Sequence, residues 1–515
     1  MAHETIALTS EDLISLLERV KSLLPKEDYE AIEAMAKAIS ALSRVVDEKA
    51  TSVKRLLKQI FGSKSEKKVK VFNSPAPEKA KPKKIKGHGR NGSSAYTGAE
   101  KVEVHHETLK HGDPCPLCSG KVYGKAPETV IRIAGSPCLK GTLYELEKLR
   151  CNLCGETFTA KSLEDMGDQK YDETAIAMIP VLKYGNGFPF YRLAQFQASL
   201  GVPVPATTQW DLVTRLGPFA KPPYIEMIRQ AAQGELFHSD DTNGRILSLI
   251  KEGPAQDGRK GVFTTGILSK MADQMAVLYF TGHNHAGENL NELLQNRIHG
   301  LSPPKLMCDA LSRNIPKDFE IVLLNCLTHG RRNFVDVIAA FPDECRHVVE
   351  TLGEVYQKDA ISREKNMSPQ ERLVFHQTES KPLLDGLYDW FNKQIDEKRV
   401  EPNSGLGKAI HYMLNHWKSL TRFLKVPGAP LDNNICERAL KKVIIHRKNS
   451  LFYKTQNGAE TGDMFMSLIQ TCNMANENPF EYLVALQKNA SEVSQCPERW
   501  LPWNFRGAMP APSPV

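Results

Sequence analysis

Apolar positions along the chain fall into three kinds of pattern. Residues 10–24 and 27–61 carry helical spacing, the first capped by Ser10 and the two separated near Pro25. In the second, Ile32, Met35, Ile39, Leu42, Val46, Val53, Leu56 and Ile60 follow steps of three and four, broken only where Lys49 takes a seam position. That is about four heptads, enough for a coiled coil and long for a face packed only on its own domain. Helical spacing returns over 172–230, where one helix ends at Leu200-Gly201 and a second starts near Thr207 or Thr208 and carries Trp210, Leu212 and Leu216. The pair has the outline of a helix-turn-helix.

From Gly234 the period shortens to that of strands: GELFHSDDT, GRILSLI, GVFTTGILS and QMAVLYFTG. An amphipathic helix follows in ENLNELLQNRI, then the strands KLMCDAL and FEIVLLNCLTHG, with a helix starting near Arg332. Three or four strands, a helix and further strands give the order of a ribonuclease H-like α/β domain. Between 341 and 424 the chain turns polar and helical, interrupting that order, before LDNNICERALKKVIIHRKNSLF and a final set of helices.

Composition changes this picture in one place. Lys and Arg total 67 against 60 Asp and Glu, a modest excess, yet ten of the cations lie between Lys64 and Arg90 with two Glu and three Pro. Such a segment cannot bury a core and reads as a disordered basic tether that could dock on phosphates. No apolar run approaches the roughly 20 residues of a membrane span, and the start of the chain has neither basic nor apolar signal regions. A cytoplasmic, nucleoid-associated protein is expected.

Eleven cysteines over 515 residues argue for reduced thiols with a metal subset. Cys115 with Cys118, and Cys151 with Cys154, form two CxxC pairs that would close a tetrahedral structural Zn2+ site. The 32 residues between the pairs require an inserted hairpin, for which VIRIAGSP and GTLYELEKLR alternate as strands would. Cys138, between them, is expected to be a core thiol.

Acidic residues at strand ends are the candidate chemistry. Asp240 lies in HSDDT and Asp309 in MCDAL, and a third carboxylate, Glu437, opens the basic segment at 431–460. Glu437 also stands at N3 spacing from Asn434, where it would serve as a helix cap and dipole partner. A carboxylate among so many cations suggests a metal and polyphosphate site.

Taken together, KRLLKQIFGSKSEK, CPLC and CNLC, FYRLAQFQASLG, HSDDT, CDAL, NCLTHGRRNF, LDNNICERALKKVIIHRKNSLF with NGAE, and LPWNF run in an order that resembles the insertion-sequence 66 family of DDE transposases over nearly the whole chain. The resemblance implies a ribonuclease H-like core with a helical insertion between the second Asp and the Glu. It implies Asp240, Asp309 and Glu437 as the catalytic triad, with Asp240 bridging two Mg2+ (or Mn2+) ions and the others completing one each. Water would first free a 3′-hydroxyl at the element end, and that hydroxyl would attack target DNA. This sequence departs from the family in having Asp241 where Glu is more frequent, Ala310 where Gly is usual, and CLTH for CWAH, which keeps Cys326 and His329.

Arg331, Arg332, Lys441, Lys442, Arg447 and Lys448, clustered beside the carboxylates, are expected to contact DNA phosphates. His329 is expected to make a structural hydrogen bond or touch the scissile phosphate. The expected fold class is multidomain α+β: a helical, coiled-coil region at 1–61, a basic linker at 62–95, a zinc ribbon at 96–165 and a helix-turn-helix region at 166–232. The core occupies 233–340 and 426–475 around an insertion at 341–425, with a C-terminal helix and tail at 476–515. Expected partners are element ends and target DNA, further copies of the chain in a dimer or larger assembly, and accessory proteins of the same element. The alternatives are a non-catalytic DNA-binding protein or repressor, and a structure-specific nuclease on the same fold.

Overall fold

The computed structural model describes residues 169–253 and 258–509 continuously, together with 111–114, 138–150, 157–159 and isolated positions among 19–33 and at 123. The coiled-coil seam beyond Ile32, the basic linker and the four CxxC cysteines lie outside the described residues. Two short strands, β1 (Lys148–Arg150) and β2 (Thr157–Thr159), pair antiparallel across the sequence that holds Cys151 and Cys154. The strand expected over GTLYELEKLR is confined to its last three residues. Cys138 is free and exposed rather than in a core.

Helices α1 (Glu173–Pro180), α2 (Phe190–Ser199) and α3 (Ala206–Ala231) precede the sheet. Asp172 opens α1 by accepting the Ala175 amide at 2.8 Å, the usual work of an Asp N-cap. Leu212, Val213, Leu216, Ala220 and Met227 put one stripe of α3 into the core.

Strand β3 (Leu236–Asn243) is followed by a short helix, α4 (Leu247–Glu252), where GRILSLI was expected to be a strand. Its burial explains the difference: Ile246 is fully enclosed and Leu249 half-buried three residues on, whereas Ile250 is exposed, a spacing that suits a helical turn. Next come β4 (Phe263–Met271), β5 (Gln274–Gly282), α5 (Ala286–Leu294), β6 (Lys305–Cys308) and β7 (Val322–Asn325). The five long-chain strands form one mixed sheet in the order β5-β4-β3-β6-β7, antiparallel from β3 to β5 and parallel from β3 to β7. This mixed α+β arrangement is compatible with a DDE transposase fold.

Helix α6 (Leu327–Val337) begins five residues before the expected start, because the strand of FEIVLLNCLTHG stops at Asn325. Four helices follow, α7 (Pro342–Glu364), α8 (Pro369–Glu379), α9 (Lys381–Asp396) and α10 (Gly405–Leu420). The chain then returns through α11 (Asn434–Ser450) and α12 (Gln456–Met474). Side chains alternate across a strand, so the sheet separates two cores. Phe237, Ile267 and Leu306 join α3, α11 and α12 on one side, while Leu236, Met307 and Leu324 join α6, α7, α9 and α10 on the other.

The outer edge of β5 is closed by side chains instead of a strand. The amides of Val277, Tyr279 and Thr281 donate to Thr471 Oγ1 at 3.0 Å, Ser467 Oγ at 3.0 Å and Asp463 Oδ2 at 2.6 Å, all on α12. Every second amide of a strand recurs at about 6.7 Å and every fourth residue of a helix at about 6.0 Å, so the two ladders stay in step over three rungs. An edge with its donors occupied cannot recruit another strand.

Candidate active site

Asp240 lies where β3 leaves the core: Leu236 to Ser239 are buried and the strand opens from Asp240 onward. On β6, His238 is level with Met307. Continuing that parallel register by two residues sets Asp309 beside Asp240. Asp309 is held by its own turn, its Oδ1 accepting the Leu311 amide at 3.2 Å and the Asn314 side-chain amide. Asn325 fixes the backbone there by donating to the Asp309 carbonyl at 3.2 Å.

Glu437 arrives from α11, which crosses β3 and β4 at close range. Opposite Asp240 on β4 stands Gly266, and a Cβ there would meet Leu440 of α11 at 3.0 Å. The bare glycine lets the helix lie down, and the Cys436 thiol donates to its carbonyl at 3.3 Å. Asn433, rather than Asn434, is the N-cap residue, and its side chain caps nothing. The expected capping box is therefore absent. Glu437 Oε1 is buried and accepts no hydrogen bond, while His329 Nε2 stands 3.9 Å from it and an Arg332 nitrogen 3.9 Å from Oε2.

These carboxylates feel one another. Burial first, and then the charges of Asp309, Glu437 and Asp241, push Asp240 up to about 7, against the pull of the Asp241 amide at 2.8 Å. Asp432, just ahead of α11, is raised too, by burial and by neighbours that include Asp359 and Glu437. Half-buried carboxylates gathered around Asp240, with one carboxylate oxygen unsatisfied, suit a hard divalent cation with oxygen ligands.

Asp241 points the other way, as the next residue of a strand must. It accepts from Thr265 Oγ1 at 2.6 Å, His285 Nδ1 at 3.2 Å and the Ala286 amide at 3.1 Å, and so anchors the start of α5. Asn433 was not singled out from the sequence, yet it ties the site together. Its side chain donates to the Ser239 carbonyl at 2.9 Å and meets His238 Nδ1 at 3.0 Å, and its amide donates to Cys326 Sγ at 3.2 Å. The one available signal was a pair of Asn residues directly ahead of a helix, which reads as capping.

Of the expected DNA-contacting cations, Arg331 and Arg332 lie half-buried on the first turns of α6, and Lys441, Lys442 and Lys448 are exposed on α11. Arg447 is differently used: it donates to the Asn243 carbonyl and to Thr242 Oγ1, closing off the end of β3.

The family model for the Transposase IS66 family matches residues 169–461, more than half of the chain. The chain belongs to that family. The matched stretch contains Asp240, Asp309, Glu437 and every candidate DNA-contacting cation, and excludes Cys115, Cys118, Cys151 and Cys154. The chain is 27% identical over 415 residues to uncharacterized protein y4jD of Sinorhizobium fredii (strain NBRC 101917 / NGR234), covering 76% of this chain and 78% of that protein. It is 24% identical over 441 residues to uncharacterized protein y4hP of the same organism, covering 80% and 76%. Family membership supports a transposase and implies DNA binding and the use of a divalent metal. Among its described residues no helix is long and apolar enough to cross a membrane.

Proposed function

We propose that this transposase cleaves the ends of its element and joins them to target DNA, with Asp240, Asp309 and Glu437 as the metal-holding triad. The observation that carries this reading is the convergence of three carboxylates from three separate elements, one of them with a buried oxygen left unbonded. Mg2+ or Mn2+ held by these residues would supply an activated attacking oxygen and neutralise charge on the leaving one.

The chain's own groups account for the rest. Asn433 fixes α11 on β3 and so sets the distance between Asp240 and Glu437. Arg332 stands 3.9 Å from Glu437; it and Arg331 would hold the scissile phosphate, and exposed Lys441, Lys442 and Lys448 would carry the flanking backbone by counterion release. His329 would contact the same phosphate. Helices α2 and α3 are assigned to recognition of terminal repeats, the four-cysteine Zn2+ ribbon and the basic linker to DNA docking, and the N-terminal heptads to dimerisation or larger assembly.

The test uses purified full-length protein with Mg2+ and labelled element ends. Wild type is expected to nick and join them, while Asp240→Asn and Glu437→Gln bind the ends without cutting. Wild-type cleavage that persists unchanged in EDTA would remove the metal, and binding without any cleavage would make the protein a repressor-like binder. Cleavage without joining would make it a nuclease.

A further inference from the structure

The triad's third carboxylate faces a second set of donors of different chemistry. Cys326, His329 and Glu437 present ligand atoms that all lie within 4.8 Å of one another. Cys326 is the N-cap residue of α6 and His329 lies in its first turn, so one helix start delivers both sulfur and nitrogen to the same side. Their backbone is fixed on both flanks: the Cys326 amide donates to the Cys308 carbonyl at 3.0 Å and the Leu327 amide to the Leu431 carbonyl at 3.0 Å. Glu437 divides its oxygens between two neighbours. Oε2 stands towards Arg332, and Oε1, buried without a hydrogen bond, stands 3.9 Å from His329 Nε2.

A thiolate, an imidazole and one carboxylate are a poor set for Mg2+, which takes oxygen ligands, and a good one for Zn2+ or another thiophilic divalent ion. Zinc–sulfur and zinc–nitrogen bonds of about 2.3 and 2.0 Å put donors roughly 3.5 Å apart around one ion, a contraction within reach of side-chain rotation. We propose that Cys326, His329 and Glu437 form a Zn2+ site that takes Glu437 away from the triad, making the strand-cutting centre sensitive to inhibition by zinc. On binding, the Cys326 thiol gives its proton to solvent and the Asn433 amide remains its hydrogen-bond donor. Three protein donors leave the fourth position of the ion to water. The site itself stands on the geometry above; its inhibitory consequence rests on Glu437 acting in the triad.

The two parts are tested separately on the full chain, isolated with whatever tightly held zinc it carries. Further Zn2+ is titrated against a chromogenic zinc chelator, with thermal unfolding recorded for every variant. Wild type is expected to take up one additional equivalent, weakened at least about tenfold in Cys326→Ser, His329→Gln and Glu437→Gln and retained in Asp240→Asn. Uptake that is unchanged in Cys326→Ser, or that is lost in Asp240→Asn while surviving in Cys326→Ser, overturns the site. In the second arm, Zn2+ is added to cleavage reactions in excess Mg2+, and the concentration that halves each protein's own rate is compared. A midpoint at least about tenfold higher in Cys326→Ser supports competition for Glu437, and equal midpoints overturn it. If no protein cleaves at all, the proposed activity fails while the binding arm still decides the site.

Discussion

Asp240, half-buried, and Asp463, fully buried, are two carboxylates each pushed up to about 7 chiefly by desolvation. Their surroundings are opposite. Asp463 accepts the Thr281 amide at 2.6 Å and the Thr281 hydroxyl at 2.7 Å, so both its oxygens are used in sealing the edge of β5. Asp240 has the Asp241 amide at 2.8 Å and otherwise a ring of like charges in Asp309, Glu437 and Asp241. A displaced titration therefore does not mark a reactive site by itself. What separates the two is whether the shift arises among donors or among other acids.

The largest effect that would break this contrast is on cleavage. Asp240→Asn should lower the rate by more than about 100-fold, and Asp463→Asn should leave the rate per folded molecule within about twofold. Equal losses in a single-turnover assay would erase the distinction. Stability should then sort them in reverse. Asp463→Ala strands the Thr281 donors and should cost about 1–3 kcal/mol in urea unfolding, with cleavage per folded molecule unchanged.

A pH series sharpens the comparison further. In metal-free protein each of these acids holds its proton in the folded chain up to about 7, while the unfolded chain releases it near 4. The stability each contributes is thus full at low pH and lost as pH rises through about 7. Asp240→Asn removes that loss at one of them, so metal-free protein should melt about 2–4 °C higher at pH 8, the gain fading towards pH 5. A gain that grows on acidification would show that ionised Asp240 is stabilised. The smallest effect lies on the surface: Lys441→Ala and Lys442→Ala should each reduce the salt dependence of DNA binding by about one charge, whereas Arg447→Ala should lower stability instead.

Much of the sheet was legible because strands with one or two buried faces leave a period in the sequence: β5 coincides with its run, and β3 and β4 overlap theirs, ending at Asn243 and Met271 just beyond them. GRILSLI was misread because seven residues with four apolar positions satisfy both a strand and a helical turn, and only the packing of Ile246 and Leu249 decides. Asp240 and Asp309 stood out by their positions at strand ends, but nothing local distinguishes Asp240 from Asp241; strand alternation sends one to the acidic cluster and the other to α5. Glu437 could be joined to them only through the family resemblance, since no spacing rule spans the insertion. Asn433 stayed hidden for the same reason: its partners Ser239 and His238 are remote in sequence, and as text it is a helix cap.

The insertion also sets an order of events during synthesis. The hydrogen bond from Asn433 to β3 joins residues 195 positions apart. At roughly 5–20 residues per second, a ribosome needs roughly 10–40 s to travel between them, and the core strands have emerged long before α11 does. The first two acids therefore wait on an unfinished chain without the third. If the proposed triad is the cutting centre, a nascent copy is unable to assemble it until the intervening helices have been made, and incomplete products of translation arrest would be harmless to DNA.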